Sequence, residues 1–160
     1  MDKILSLDAF GEVVEPQKTS DEVTTKTDAQ PSHTCSIVFS KILQNMAQTK
    51  LLHWQSRMYG QHKALDKLFE GIIDLGDNLA ESIMGKYERP TLSQDELCLK
   101  LMNFESPENG DLSEFMAHLY KCYAEDCRSI FDPAKDSEII NILDEIVALI
   151  DKIKYLLSLK

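Results

Sequence analysis

The sequence predicts an all-α protein, and three observations carry that prediction. From Thr34 onward the apolar residues recur at helical spacing, and no run alternates as a strand would. Glycine and proline punctuate those runs, at Gly60, Gly85, Pro90 and Pro133. The breaks between runs are short, long and short, so four long helices form two antiparallel hairpins joined by a crossover. The crossover, of about 25 residues, is expected to hold a short extra helix between helices 2 and 3.

Taken in order, residues 1–33 hold seven acids, three bases and two prolines, with few apolar residues after Val14. They read as an acidic, flexible N-terminal tail whose more apolar part, 3–14, is available to a protein partner. Residues 34–160 form the bundle. Helix 1 spans "TCSIVFSKILQNMAQTKLLHWQSRM", with Ile37, Val38, Ile42, Met46 and Leu52 on a buried face. Tyr59-Gly60 is expected to make a tight connection.

Helix 2 runs over about 61–84, burying Leu65, Leu68, Phe69, Ile72, Leu75, Leu79 and Ile83, and Gly85 is expected to close it. Ser93 and Glu96 stand in capping-box register for the short helix. Asp111 with Glu114 is expected to cap helix 3, which ends near Phe131, and Asp136 to cap helix 4.

The formal charge of −10, from 17 basic and 27 acidic residues, argues against a binder that relies on nucleic-acid phosphates. It suits a protein that handles cations. No uninterrupted apolar segment reads as a signal peptide or a membrane span, so a cytoplasmic setting is expected, or a virion if the source is viral. The four cysteines form no CxxC pair. Cys122 and Cys127, five apart, should point in different directions on an α-helix and read as plain buried thiols.

Helix 2 carries a second pattern. With about 100° per residue and Asp66 as origin, His62 falls near −40°, Asp77 near +20° and Glu81 near +60°. One imidazole and three carboxylates thus share a stripe. Asp66 and Asp77 lie about 16 Å apart along the axis, too far to share one ion with bonds of about 2 Å. His62 with Glu81, and Asp66 with Asp77, nevertheless share one midpoint, between residues 71 and 72. A second copy laid antiparallel about that point would bring His62 and Asp66 of one chain to Asp77 and Glu81 of the other, making two equivalent sites. Gly71 is expected to permit the close crossing. Imidazole with carboxylates suits iron, and also manganese or zinc. A solvated helix face explains the same residues without a metal.

These residues, with "HW" at 53–54, resemble the Dps-like branch of the ferritin superfamily, which carries H-W at the end of the first helix and H-x3-D-x10-D-x3-E on the second. The likeness covers about 34–160 and is weaker in helices 3 and 4; the chain is more like the divergent Dps-like proteins of phages and large viruses. It implies a ferritin-like four-helix bundle assembled into a hollow dodecamer. It also implies Fe(II) oxidation by peroxide or oxygen at two-fold interfaces, storage of ferric iron, and a role under oxidative stress. His53, His62 and Asp66 would come from one chain and Asp77 and Glu81 from its neighbour, with Trp54 beside the site.

The chain departs from the family in two places. The nine-residue His53–His62 spacing is three shorter than the family's usual one. The tail is acidic where DNA-binding members are lysine-rich. The other reading is a structural or interaction protein, virion-associated if the source is viral, that kept the bundle without ferroxidase activity. His33 and His118 read as ordinary polar positions, Tyr120 and Tyr123 as packing or electron-transfer residues, and the acids of 105–111 as a solvated turn or a pore lining.

Overall fold

A computed structural model describes residues 31–87, 89–93, 99, 101–104 and 112–159, and the side chains from Cys35 onward within them. Among the described residues all regular structure is helical, as the apolar period requires.

The helix α4 (Ser137–Ser158) shows how that period becomes a core. Ile139, Leu143, Ile146, Ile150 and Ile153 follow at spacings of three and four, and none is more than 1% exposed. The helix α2 (Tyr59–Lys86) presents a matching stripe of Leu65, Leu68, Ile72, Leu79 and Ile83, equally buried. Val38, Ile42 and Leu52 of α1 (Pro31–Gln55) and Phe115, Met116 and Leu119 of α3 (Ser113–Lys121) complete the core. Burying each such side chain is worth about 1.5–3 kcal/mol, more than intrinsic helix propensity supplies. Ile37, expected on the buried face, is exposed instead, because its neighbour Val38 takes the inward position.

Contacts at the two ends fix the helix directions. Lys86, at the end of α2, reaches Asp136, just before α4, at 2.8 Å. At the opposite end, Gln61 of α2, Leu112 and Ser113 of α3, and Leu157 of α4 line one groove. The helices α2 and α4 are therefore antiparallel and α3 runs parallel to α2. The connection from α2 to α3 thus returns along the full length of the bundle. Part of it is tied to α1 by two glutamines. Gln48 accepts from Met102 N–H at 2.6 Å and donates to Met102 C=O at 2.8 Å, as a peptide group would. Gln55 does the same with Phe104 N–H and the Asn103 side chain.

Several local expectations are corrected. The α1–α2 link is Ser56–Met58; Tyr59 and Gly60 already belong to α2. Gly85 lies inside α2, which ends with Tyr87 extended. Asp136 stands at the N-cap position of α4 but makes no cap bond; its carboxylate accepts from Asp132 N–H and the Tyr87 hydroxyl. Gly71 does not face the polar stripe. A Cβ there would stand 2.5 Å from Leu149 Cδ2, so the glycine serves the α2–α4 contact.

The largest correction concerns α3. It continues through a π-helical segment, Cys122–Cys127, and a 3₁₀ turn, Arg128–Ile130. In an i→i+5 register, residues five apart stack. Cys122 and Cys127 therefore meet, Sγ to Sγ at 4.0 Å, rather than diverging.

The 101–104 stretch and residue 99 are not helical; the rest of the expected crossover helix lies outside the described residues. So do the tail up to residue 30, the His33 side chain, Cys98, the Asp111 cap and the acids of 105–111. No helix among the described residues is long and apolar enough to cross a membrane.

Candidate metal centre

The short α1–α2 link folds the last turn of α1 onto the first turns of α2, and this places His53 against His62. The ring centroids are 4.0 Å apart with a 31° tilt. Each ring holds the other's backbone: His53 Nδ1 lies 3.2 Å from His62 C=O, and His62 Nδ1 lies 3.1 Å from His53 C=O. The His53 carbonyl belongs to the last turn of α1, where carbonyls lack intrahelical partners, so the clasp also caps that helix.

The clasp fixes the tautomers. A carbonyl oxygen only accepts, so both Nδ1 atoms carry hydrogen. In the neutral rings both Nε2 atoms then hold free lone pairs. Metal-binding histidines are commonly prepared in this way. His53 Nε2 faces Asp66 Oδ1 at 3.8 Å, a gap that two bonds of about 2 Å can span. His53 is 7% exposed, so its ring is held in one place.

The other carboxylate oxygen, Asp66 Oδ2, takes Lys63 Nζ at 3.2 Å. That hydrogen bond, with the charges of Lys63 and Lys50, holds the Asp66 carboxyl below its ordinary range despite some desolvation. Lys50 itself lies over the Phe69 ring at 4.3 Å. Neither lysine figured in the reading of the stripe, although Lys63 at three residues before Asp66 was a visible signal.

Asp77 and Glu81 are exposed on the same side of α2, and Asp77 borders an apolar groove with Leu43, Met46 and Ile73. They do not approach His53, His62 or Asp66 within the chain. Among the described residues no three His, Cys, Asp or Glu side chains of one chain converge closely enough to hold a metal ion. Trp54 is 69% exposed beside the clasp, so it is not a packing residue of its own chain. His118 is also exposed; partial burial and nearby Lys41 lower its pKa, as suits an ordinary polar position.

The molecule is thus an all-α bundle carrying a clasped histidine pair and an aspartate at one end of α2. Residues 53–157 match a family described as a family of unknown function (DUF5856), and the chain belongs to that family. The matched span begins at His53 and contains His62, Asp66, Asp77 and Glu81. No curated protein and no solved structure matches the chain.

Proposed function

We propose that the protein is a Dps-like, ferritin-like bundle that binds Fe(II) between paired α2 helices and oxidises it with peroxide or oxygen. The observation that carries this reading is the His53–His62 clasp, which engages both Nδ1 atoms and turns His53 Nε2 toward Asp66 Oδ1 at 3.8 Å. These three residues supply half of a site. Asp77 and Glu81 of an antiparallel second copy supply the other half. Peroxide takes one electron from each of two ferrous ions and two protons from solvent and leaves as two waters, and the product is retained as ferric mineral in a hollow dodecamer. Manganese or zinc can occupy the same donors.

The α2 surface supports the pairing. Tyr59 and Met84 share the midpoint of His62 and Glu81, and Glu70 and Ile73 share it too. Tyr59, Ile73 and Met84 are 80%, 38% and 36% exposed, apolar positions that a second copy would cover. The helix directions, with one long crossover, support a ferritin-like connectivity.

One observation favours the second reading. Asp66 already has a counter-charge in Lys63. A structural protein that kept the bundle for interaction needs no ion there, and its exposed Trp54, Met58 and Tyr59 would serve the partner.

The test is aerobic addition of Fe(II) to the wild type and to the Asp66→Ala/Glu81→Ala double variant, followed by ferric absorbance. Rapid oxidation lost in the variant supports the ferroxidase. Equal slow rates in both leave the scaffold reading.

A further inference from the structure

We propose that Cys122 and Cys127 form a peroxide-oxidisable dithiol that closes to an internal disulfide within the bundle. This reaction is separate from the α2 site and does not rest on it.

Three observations meet at one place in the core. First, the π-helical segment stacks two residues that an α-helix would hold apart, and sets their sulfurs in contact at 4.0 Å. Such π turns occur often at functional positions. Second, Asn45 of α1 points its amide at Cys122 Sγ, 3.5 Å away, although Asn45, Cys122 and Cys127 are each 1% exposed. A core built for packing alone would not place an amide there. Third, the Tyr123 hydroxyl is the one buried side-chain polar atom among the described residues that has no hydrogen-bond partner. It lies within electrostatic reach of Asn45 and of both thiols.

The two sulfurs have unequal roles. Asn45 Nδ2 donates to Cys122 Sγ at 3.5 Å, and a thiolate on Cys122 is the form that this amide stabilises. Either thiol can donate across the 4.0 Å contact, and with Cys122 as the thiolate Cys127 is the donor, which together with burial pushes its own thiol up. Cys122 is therefore the attacking sulfur. Its thiolate bonds to one peroxide oxygen, the O–O bond breaks, and the released hydroxide takes a proton to become water. Cys127 sulfur then attacks Cys122 sulfur; the S–S bond forms, the S–O bond breaks, and hydroxide leaves with the Cys127 proton as a second water. Two thiols are oxidised by two electrons and one peroxide is reduced to two waters. The sulfurs close from 4.0 Å to about 2.05 Å.

The sequence provides a convenient readout, because trypsin cleavage after Lys121 and Arg128 releases both cysteines in one peptide, CYAEDCR. The native full-length protein is treated with hydrogen peroxide, quenched with catalase, denatured, alkylated with iodoacetamide and digested. The expected result is a CYAEDCR peptide two hydrogens lighter, with neither cysteine alkylated, and restored by dithiothreitol. It should form roughly tenfold faster than any oxidation of Cys35, a buried thiol whose pKa is raised by burial and Asp136. In Cys127→Ser, Cys122 should stop at a sulfenic acid that dimedone traps. Full alkylation of both cysteines in peroxide-treated wild type would overturn the proposal. So would their passage to sulfinic acid without the linked peptide. The wild-type result decides the matter even where the variant fails to fold.

Discussion

His53 and His62 hold one another across the α1–α2 link, each ring donating through Nδ1 to the other's backbone carbonyl at 3.2 and 3.1 Å. The arrangement joins fold to chemistry. The same pair of bonds ends α1, fixes the start of α2 and leaves the Nε2 atoms outside the clasp, that of His53 facing Asp66. The short His53–His62 spacing is what allows it, since nine residues leave only Ser56–Met58 outside the helices.

Loss of either ring should loosen the hairpin. His62→Ala is expected to destabilise by about 0.5–1.5 kcal/mol, the value of the one hydrogen bond its ring makes to the His53 carbonyl. His53→Ala should cost about 2–3 kcal/mol, because a buried ring also leaves a cavity. Denaturant titration measures both. Equal stability of both variants and the wild type would mean that the clasp does not form.

Gly71 and Leu149 should be coupled. A Cβ at Gly71 would press on Leu149 Cδ2 at 2.5 Å, so Gly71→Ala is expected to gain little or lose about 1 kcal/mol despite alanine's better helix propensity. In a Leu149→Ala background the same change should instead stabilise by about 0.5–1 kcal/mol. A double-mutant cycle reads the difference. Additive effects would return Gly71 to the outer face of α2.

Asp136 should govern acid stability. Burial alone would raise its carboxyl pKa, but Lys86, Tyr87 and Asp132 N–H outweigh it and the net shift is downward. A depressed folded pKa contributes stability that is full above the ordinary value of 3.8 and is lost as pH falls through the folded value. Asp136→Asn should therefore be less stable than wild type at neutral pH, by about 2–4 kcal/mol, with the gap closing below about pH 4. Tyr87 adds an alkaline counterpart. Its hydroxyl is pushed up to about 12, so its contribution is present below the ordinary value of 10.0 and lost as pH rises through the folded one. Chemical denaturation across pH for both proteins checks the signs.

Lys63 should oppose metal binding at Asp66. Its ammonium occupies Oδ2 and repels an incoming cation. Lys63→Ala is expected to tighten Co(II) or Zn(II) binding several-fold, on the order of tenfold at low salt, and to steepen the fall of affinity with added salt. Isothermal titration at two ionic strengths would show it. Unchanged affinity would place the ion away from Asp66.

Much of this was legible in the sequence because it depends on period alone. The inward stripes of α2 and α4 follow from spacings of three and four, and the stripe of His62, Asp66, Asp77 and Glu81 follows from the same arithmetic. What was not legible depends on a change of period or on a distant partner. The Cys122–Cys127 contact needs a π register that no local residue announces. The Gly71–Leu149 contact and the Asp136 network need tertiary neighbours. The reciprocal histidine clasp needs both helix ends at once, so spacing alone presented the short His53–His62 interval as a departure.

The most direct test of the paired-helix site is subunit complementation. Asp66→Ala and Asp77→Ala/Glu81→Ala variants, each separately inactive in Fe(II) oxidation, are mixed in equal amounts, unfolded and refolded together. If each site takes Asp66 from one chain and the two acids from its neighbour, half the pairs are mixed and each mixed pair holds one intact site. The mixture should then recover about a quarter of wild-type activity. A co-refolded mixture as inactive as its parents, with intact mixed dimers present, would contradict the shared site.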